Sequence, residues 1–156
     1  MEKALRVLSI TSALLWALLA GMVILSMAFV ILGEVYVYVD RPVVVVYKGQ
    51  LEILVVIYVR NGPIFSIRNL HINISLTDLR GHLLCQNETS VGDVGPDSDL
   101  TLSFTLRPRI PPWLRGRPLN LTVVANMIYA VMFPIEVRAS FKIQPPYGLV
   151  GEAYAI

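Results

Sequence analysis

Three aspartates, Asp93, Asp97 and Asp99, fall within seven residues of one another, the densest acidic set in this sequence. A calcium ion takes about six to eight oxygen ligands, so three carboxylates on one loop would supply part of a site. Their spacing does not follow the EF-hand loop, and Asp within Gly95-Pro96-Asp97-Ser98 is equally explained by turn chemistry. His71 and His82 stand apart, and with the single Cys85 they offer too few ligands for zinc. No Ser-His-Asp arrangement, glycine-rich phosphate loop or dinucleotide fingerprint stands in a context that would let it work. No catalytic, metal-binding or cofactor-binding residue is assigned, and the sequence points away from an enzyme.

Other residues offer modification or contact. Asn73-Ile74-Ser75, Asn87-Glu88-Thr89 and Asn120-Leu121-Thr122 are N-glycosylation acceptor patterns that use half of the six asparagines. Solvent-facing strand and turn chemistry accounts for Asn, Ser and Thr there equally well. Cys85 cannot form an intramolecular bridge; an isolated thiol is usually a small apolar residue, with dimerisation as its other use. Pro111-Pro112-Trp113-Leu114-Arg115-Gly116-Arg117-Pro118 is a stiff loop that sets an aromatic among arginines. Trp113 and Arg115 are residue types favoured at contact hot spots, although Trp113 can also cap the end of a folded body.

Whatever does the work is positioned first by an apolar run. Val7 to Leu32 is free of charge for 26 residues, with Lys3 and Arg6 ahead of it and Glu34 and Asp40 behind. Crossing a hydrocarbon core about 30 Å thick takes roughly 20 helical residues, so the run reads as a transmembrane helix. A cleavable signal would be shorter; Ser26-Met27-Ala28 has a small-x-small pattern, but Phe29 to Leu32 continue past it. Basic residues tend to stay cytoplasmic, which puts residues 1–6 inside and residues 33–156 outside. Ala13, Ala17 and Gly21 recur every fourth residue, a small-residue stripe along which a second helix can approach.

The 124-residue tail is the size of one ordinary domain, and its eleven Lys and Arg nearly balance ten Asp and Glu. Nucleic acid would demand a concentrated basic face, so it is not an expected partner. Glu34 to Asp40 and Val43 to Tyr47 are β-branched and aromatic runs split by Pro42, and Leu51 to Arg60 is a longer apolar strand ended by Asn61-Gly62-Pro63. Apolar and polar residues alternate in Leu70 to Leu76, Leu100 to Leu106, Leu119 to Val123 and Glu136 to Ile143, the period of half-buried antiparallel strands. Turn clusters at residues 78–81, 92–99 and 111–118 space about seven or eight strands. The expectation is an all-β immunoglobulin-like or fibronectin-III-like sandwich behind a single N-terminal transmembrane helix.

Val59-Arg60-Asn61-Gly62-Pro63-Ile64-Phe65-Ser66-Ile67, then Ile74 to Leu84 around Asp78-Leu79-Arg80-Gly81, then Val91-Gly92-Asp93-Val94-Gly95-Pro96-Asp97-Ser98 carry a resemblance. Over about residues 51 to 107 the chain resembles late-embryogenesis-abundant type-2 (WHy) and CARDB-like sandwich domains, and membrane-anchored proteins of this design are similar to many in archaea. The family pattern favours Gly after Pro96, where this chain has Asp97. The resemblance implies a binding or structural module without catalytic residues. The expected role is a single-pass membrane glycoprotein of the cell envelope whose extracytoplasmic sandwich contacts a protein partner or another copy. The alternative is a subunit of a type IV pilin-like or archaellum-associated filament with the helix in its core. Lys3-Ala4 before Leu5 faintly resembles a prepilin-peptidase site, so a mature chain beginning at Leu5 would mark the filament.

Overall fold

The computed structural model describes residues 2–47, 50–130, 132–144 and 148–152. Its first element, α1 (Glu2–Ile31), is a 30-residue helix. It begins ahead of the expected Val7, because nothing before Gly33 breaks a helix and Val7 marks only where charge ends. Within it Ile10–Ile31 is a 22-residue stretch long and apolar enough to cross a membrane, about 33 Å at 1.5 Å per residue. Gly33 ends the helix at φ 72°, a left-handed conformation open to glycine without steric cost. Its N–H donates to the Val30 carbonyl at 3.2 Å and the Glu34 N–H donates to the Phe29 carbonyl at 3.0 Å. Carbonyls that a helix end leaves bare are thereby satisfied.

Nine strands follow among the described residues: β1 (Tyr36–Val39), β2 (Val43–Tyr47), β3 (Gln50–Arg60), β4 (Ile67–Asp78), β5 (Leu83–Val94), β6 (Asp99–Leu106), β7 (Leu119–Tyr129), β8 (Phe133–Gln144) and β9 (Gly148–Glu152). They form two antiparallel sheets. In the first, β6 lies along one edge of β3, while β1 and β2 follow one another along the opposite edge. Pro42 explains that split, since it has no N–H to give the ladder. The second sheet has the order β5-β4-β7-β8-β9. β9 exceeds the expected count because Gly148-Leu149-Val150-Gly151-Glu152 carries no alternation to announce it.

Period-2 alternation builds the core, with successive side chains leaving a strand on opposite faces. Ile53, Val55 and Ile57 of β3, Ile72 and Ile74 of β4, and Leu121 and Val123 of β7 are fully buried in one shared cluster. Both sheets feed that cluster, so the β body has one core. The C-terminal end of α1 joins it. Phe29 packs on the cluster and meets Phe65 edge-on at 6.5 Å, and Phe65 meets the buried Tyr129 edge-on at 5.8 Å. Ser26 is buried at the same place and donates back to the Met22 carbonyl at 2.6 Å.

Candidate functional site

The two sheets present unlike outer faces. On the second, the outward residues of β4, β7 and β8 are mostly polar, running through Asn73, Ser75, Asn120, Thr122, Arg138 and Lys142. On the first, β1, β2 and β3 turn Tyr36, Tyr38, Val43, Val45, Leu54 and Tyr58 outward, all exposed, beside the polar outward residues Asp99, Thr101, Ser103 and Thr105 of β6. Register explains the patch: Tyr38 pairs with Tyr58 and Val43 with Leu54, so side chains from adjacent strands share one face. The Tyr38 and Tyr58 rings stack with centroids 6.3 Å apart and planes 25° apart. A solvated sheet face is ordinarily polar, and a contiguous apolar one marks a contact surface.

Each end of this face opens into a cleft. At the end near α1, Tyr36, Tyr38, Tyr58, Arg60, Asp99 and Thr101 line a groove of about 580 Å³. At the other end, roughly 33 Å away over the ten steps from the first to the last residue of β3 at about 3.3 Å each, Val46, Leu51, Arg107, Arg109, Ile110 and Arg115 line one of about 670 Å³. The Arg107 Nε donates to Glu52 Oε1 at 2.8 Å, while Arg109 and Arg115 line the cleft with no acidic partner among the described residues. Exposed tyrosine, aliphatic and arginine side chains are the composition of protein contact surfaces, and arginine forks suit carboxylates.

The loop end beside α1 is held by Asn61. Its Nδ2 donates to the carbonyls of Phe65 (2.8 Å), Val94 (3.0 Å) and Gly95 (2.6 Å), and its backbone N–H donates to the Ser98 carbonyl at 3.0 Å. The Asp97 N–H closes the junction by donating to the Gly62 carbonyl at 2.9 Å. Asp97 has φ 54°, the left-handed conformation that a glycine after Pro96 would take. Asp replaces Gly there without a change of turn, because a short polar side chain tolerates that region better than most.

Of the residues singled out in the sequence, Asp93 accepts from the Asn69 N–H at 3.1 Å, Asp97 serves the turn, and Asp99 opens β6. No group of three or more His, Cys, Asp or Glu that could hold a metal comes together among the described residues. His71 pairs with Glu88 at 2.6 Å on an exposed face, and His82 pairs with Asp78 at 2.8 Å in the β4–β5 hairpin. Desolvation pushes the Asp78 carboxyl up, but hydrogen bonds from the His82 ring and from the His82 and Arg80 backbone outweigh it, and the net shift is downward. Burial alone pushes the Tyr129 hydroxyl up.

Asn73 and Asn120 lie on the polar outer face, whereas Asn87 pairs in register with the buried Ile74 and so sits on the inner side of edge strand β5. Cys85 is half-buried on that same inner side, opposite Leu76. Arg115 lines the arginine cleft, while the side chain of Trp113 lies outside the described residues. Ala13, Ala17 and Gly21 are exposed along α1, roughly 150° around the helix from Ser26 and Phe29 at 100° per residue. Sequence reasoning missed the outer face of the first sheet, for which the signal was the alternation Leu54-x-Val56-x-Tyr58 opposite an equally apolar inner set.

No protein-family model and no curated protein matches this chain. Solved structures do. One Northeast Structural Genomics Consortium X-ray target is similar over 79% of this chain and 96% of its own, with 10% identity and a TM-score of 0.51. A Bordetella pertussis protein described as ApaA is similar over 72% of this chain and 96% of its own, with 12% identity and a TM-score of 0.50. At such identities the likeness concerns the fold alone.

Proposed function

We propose that this chain is a non-enzymatic, single-pass membrane protein whose β body docks a protein partner outside the cytoplasm. The carrying observation is the apolar strip that β1, β2 and β3 present on the outer face of the first sheet, flanked by a tyrosine groove and an arginine cleft. We read the body as an immunoglobulin-like or fibronectin-III-like sandwich of the WHy and CARDB kind. That reading is supported by two antiparallel sheets sharing one core and by the junction of Asn61 with the Val94 to Ser98 turn. Spanning is supported by the exposed apolar length of α1, and orientation by Lys3 and Arg6 ahead of it. A photo-crosslinking side chain introduced at Tyr38 or Leu54 in native membranes should trap a partner band that the same side chain at Thr122, on the polar sheet, does not. Equal trapping at all three positions, or none at Tyr38 and Leu54, refutes the assignment of the face.

A further inference from the structure

Hairpins that face water grow more polar toward their tips, because turn residues there are solvated. The β7–β8 hairpin does the reverse. Along its outer side the exposed pair Asn126 and Glu136 gives way to Ile128 opposite Pro134, while on its inner side the last pair is the buried Tyr129 opposite Phe133. No charged residue lies between Asn126 and Glu136. Past that pair the chain reaches Met132, which is 54% exposed. Ala130 makes the turn at φ 50° where Asn or Gly would be usual.

What lies beside this tip identifies its surroundings. Following β8 backward from Val137 to Phe133, its neighbours change from Val35 and Val37, through Val30, to Ser26 and Met27. The hairpin therefore runs back along α1, past the Gly33 cap, and the residues next to its tip share a crevice with Ser26, Met27, Val30 and Ile31. Ser26 is five residues short of Ile31, about 8 Å along the helix axis. If Ile10–Ile31 fills a hydrocarbon core about 30 Å thick, that level is inside the acyl boundary, a depth typical of interfacial insertion.

We infer that the tip around Met132 is a membrane wedge, seated among lipid acyl chains beside α1, with Asn126 and Glu136 marking the headgroup level. The occupant of the crevices of about 230 and 210 Å³ between α1 and β8 is then lipid. The inference rests on the spanning reading of α1, and one experiment tells their failures apart. In full-length protein carrying Cys85→Ala, single cysteines replacing Met132, Leu19 or Leu79 are labelled with bimane and reconstituted into nanodiscs. The expected result is quenching of the labels at 132 and 19 by nitroxide-bearing acyl chains and shielding of both from aqueous iodide, while the label at 79, on the β4–β5 hairpin, is quenched by iodide. Iodide quenching at 132 with lipid quenching at 19 overturns the wedge and leaves the span; iodide quenching at 19 overturns both.

Discussion

Replacing Asn61 by Ala tests whether one amide holds the helix-proximal end of the body together. Its Nδ2 serves three carbonyls that lie up to 34 residues away in sequence. Val94 O sits in a buried contact and the other two are partly solvated. Stranding a buried acceptor costs about 1–3 kcal/mol, with less for groups that water can reach. Truncation also removes the Asn61 Oδ1, which is buried with no partner among the described residues and already unfavourable, and that offsets about 1 kcal/mol. The net expectation is a loss of about 2 kcal/mol, or a fall in Tm of roughly 8 °C for a body of this size. Thermal unfolding of the full chain in detergent, followed by circular dichroism, reads it directly. Asn61→Asp sharpens the test, since a carboxylate places negative charge against three carbonyl oxygens and cannot donate. Its folded pKa is raised, so its penalty is smallest below the unfolded value and grows as pH rises through the folded one. An unchanged Tm in Asn61→Ala, or an Asn61→Asp protein as stable as the parent at neutral pH, refutes the latch.

Asp78→Asn keeps the acceptor for the Arg80 and His82 N–H groups but removes the charge facing the His82 ring. The lowered Asp78 pKa stabilises the fold above the ordinary carboxylate range and loses that contribution as pH falls through the folded value, so the variant should show a shallower loss of Tm on the acid side in a pH series. Asp97→Gly should leave Tm unchanged or raise it slightly, whereas Asp97→Val, β-branched at φ 54°, should cost about 1–2 kcal/mol in denaturant unfolding. Gly21→Ile fills an open site, with nothing lying within 4 Å of a Cβ added there; it should leave body stability intact while weakening any helix pairing along Ala13, Ala17 and Gly21, and unchanged oligomer size in a membrane association assay removes that pairing.

The long elements were legible because their signals are strong and local. An unbroken apolar run gives α1, and strict alternation gives β4, β6 and the second half of β8. β7 extends to Tyr129, well past the expected Val123, because the turn that ends it carries none of the Gly, Asn or Asp residues that punctuate turns. Asn61 was visible as a turn residue, yet its side chain works across the fold, and sequence does not display partners that distant. The outer face of the first sheet was hidden for another reason. In β3 both faces are apolar, and such a run reads the same whether its second face meets protein, lipid or a partner.

The devices at the helix-proximal end share one mechanical consequence. The Gly33 cap fixes how the chain leaves α1, the Phe29, Phe65 and Tyr129 rings tie the helix end to the second sheet, and Asn61 ties the first of the loops beside it to the β5–β6 turn. A body hung on a flexible linker would sample many orientations, and a partner would pay to freeze them. Here only residues 32–35 separate α1 from β1, and Val35 among them is buried. The outer face of the first sheet is thus held at a set angle to α1. On the proposed reading, a partner approaching along the membrane meets a preoriented surface. Three glycines inserted after Gly33 should therefore weaken partner capture at Tyr38 while leaving the Tm of the body nearly unchanged. If capture survives the insertion undiminished, preorientation contributes nothing and the rigid junction serves stability alone.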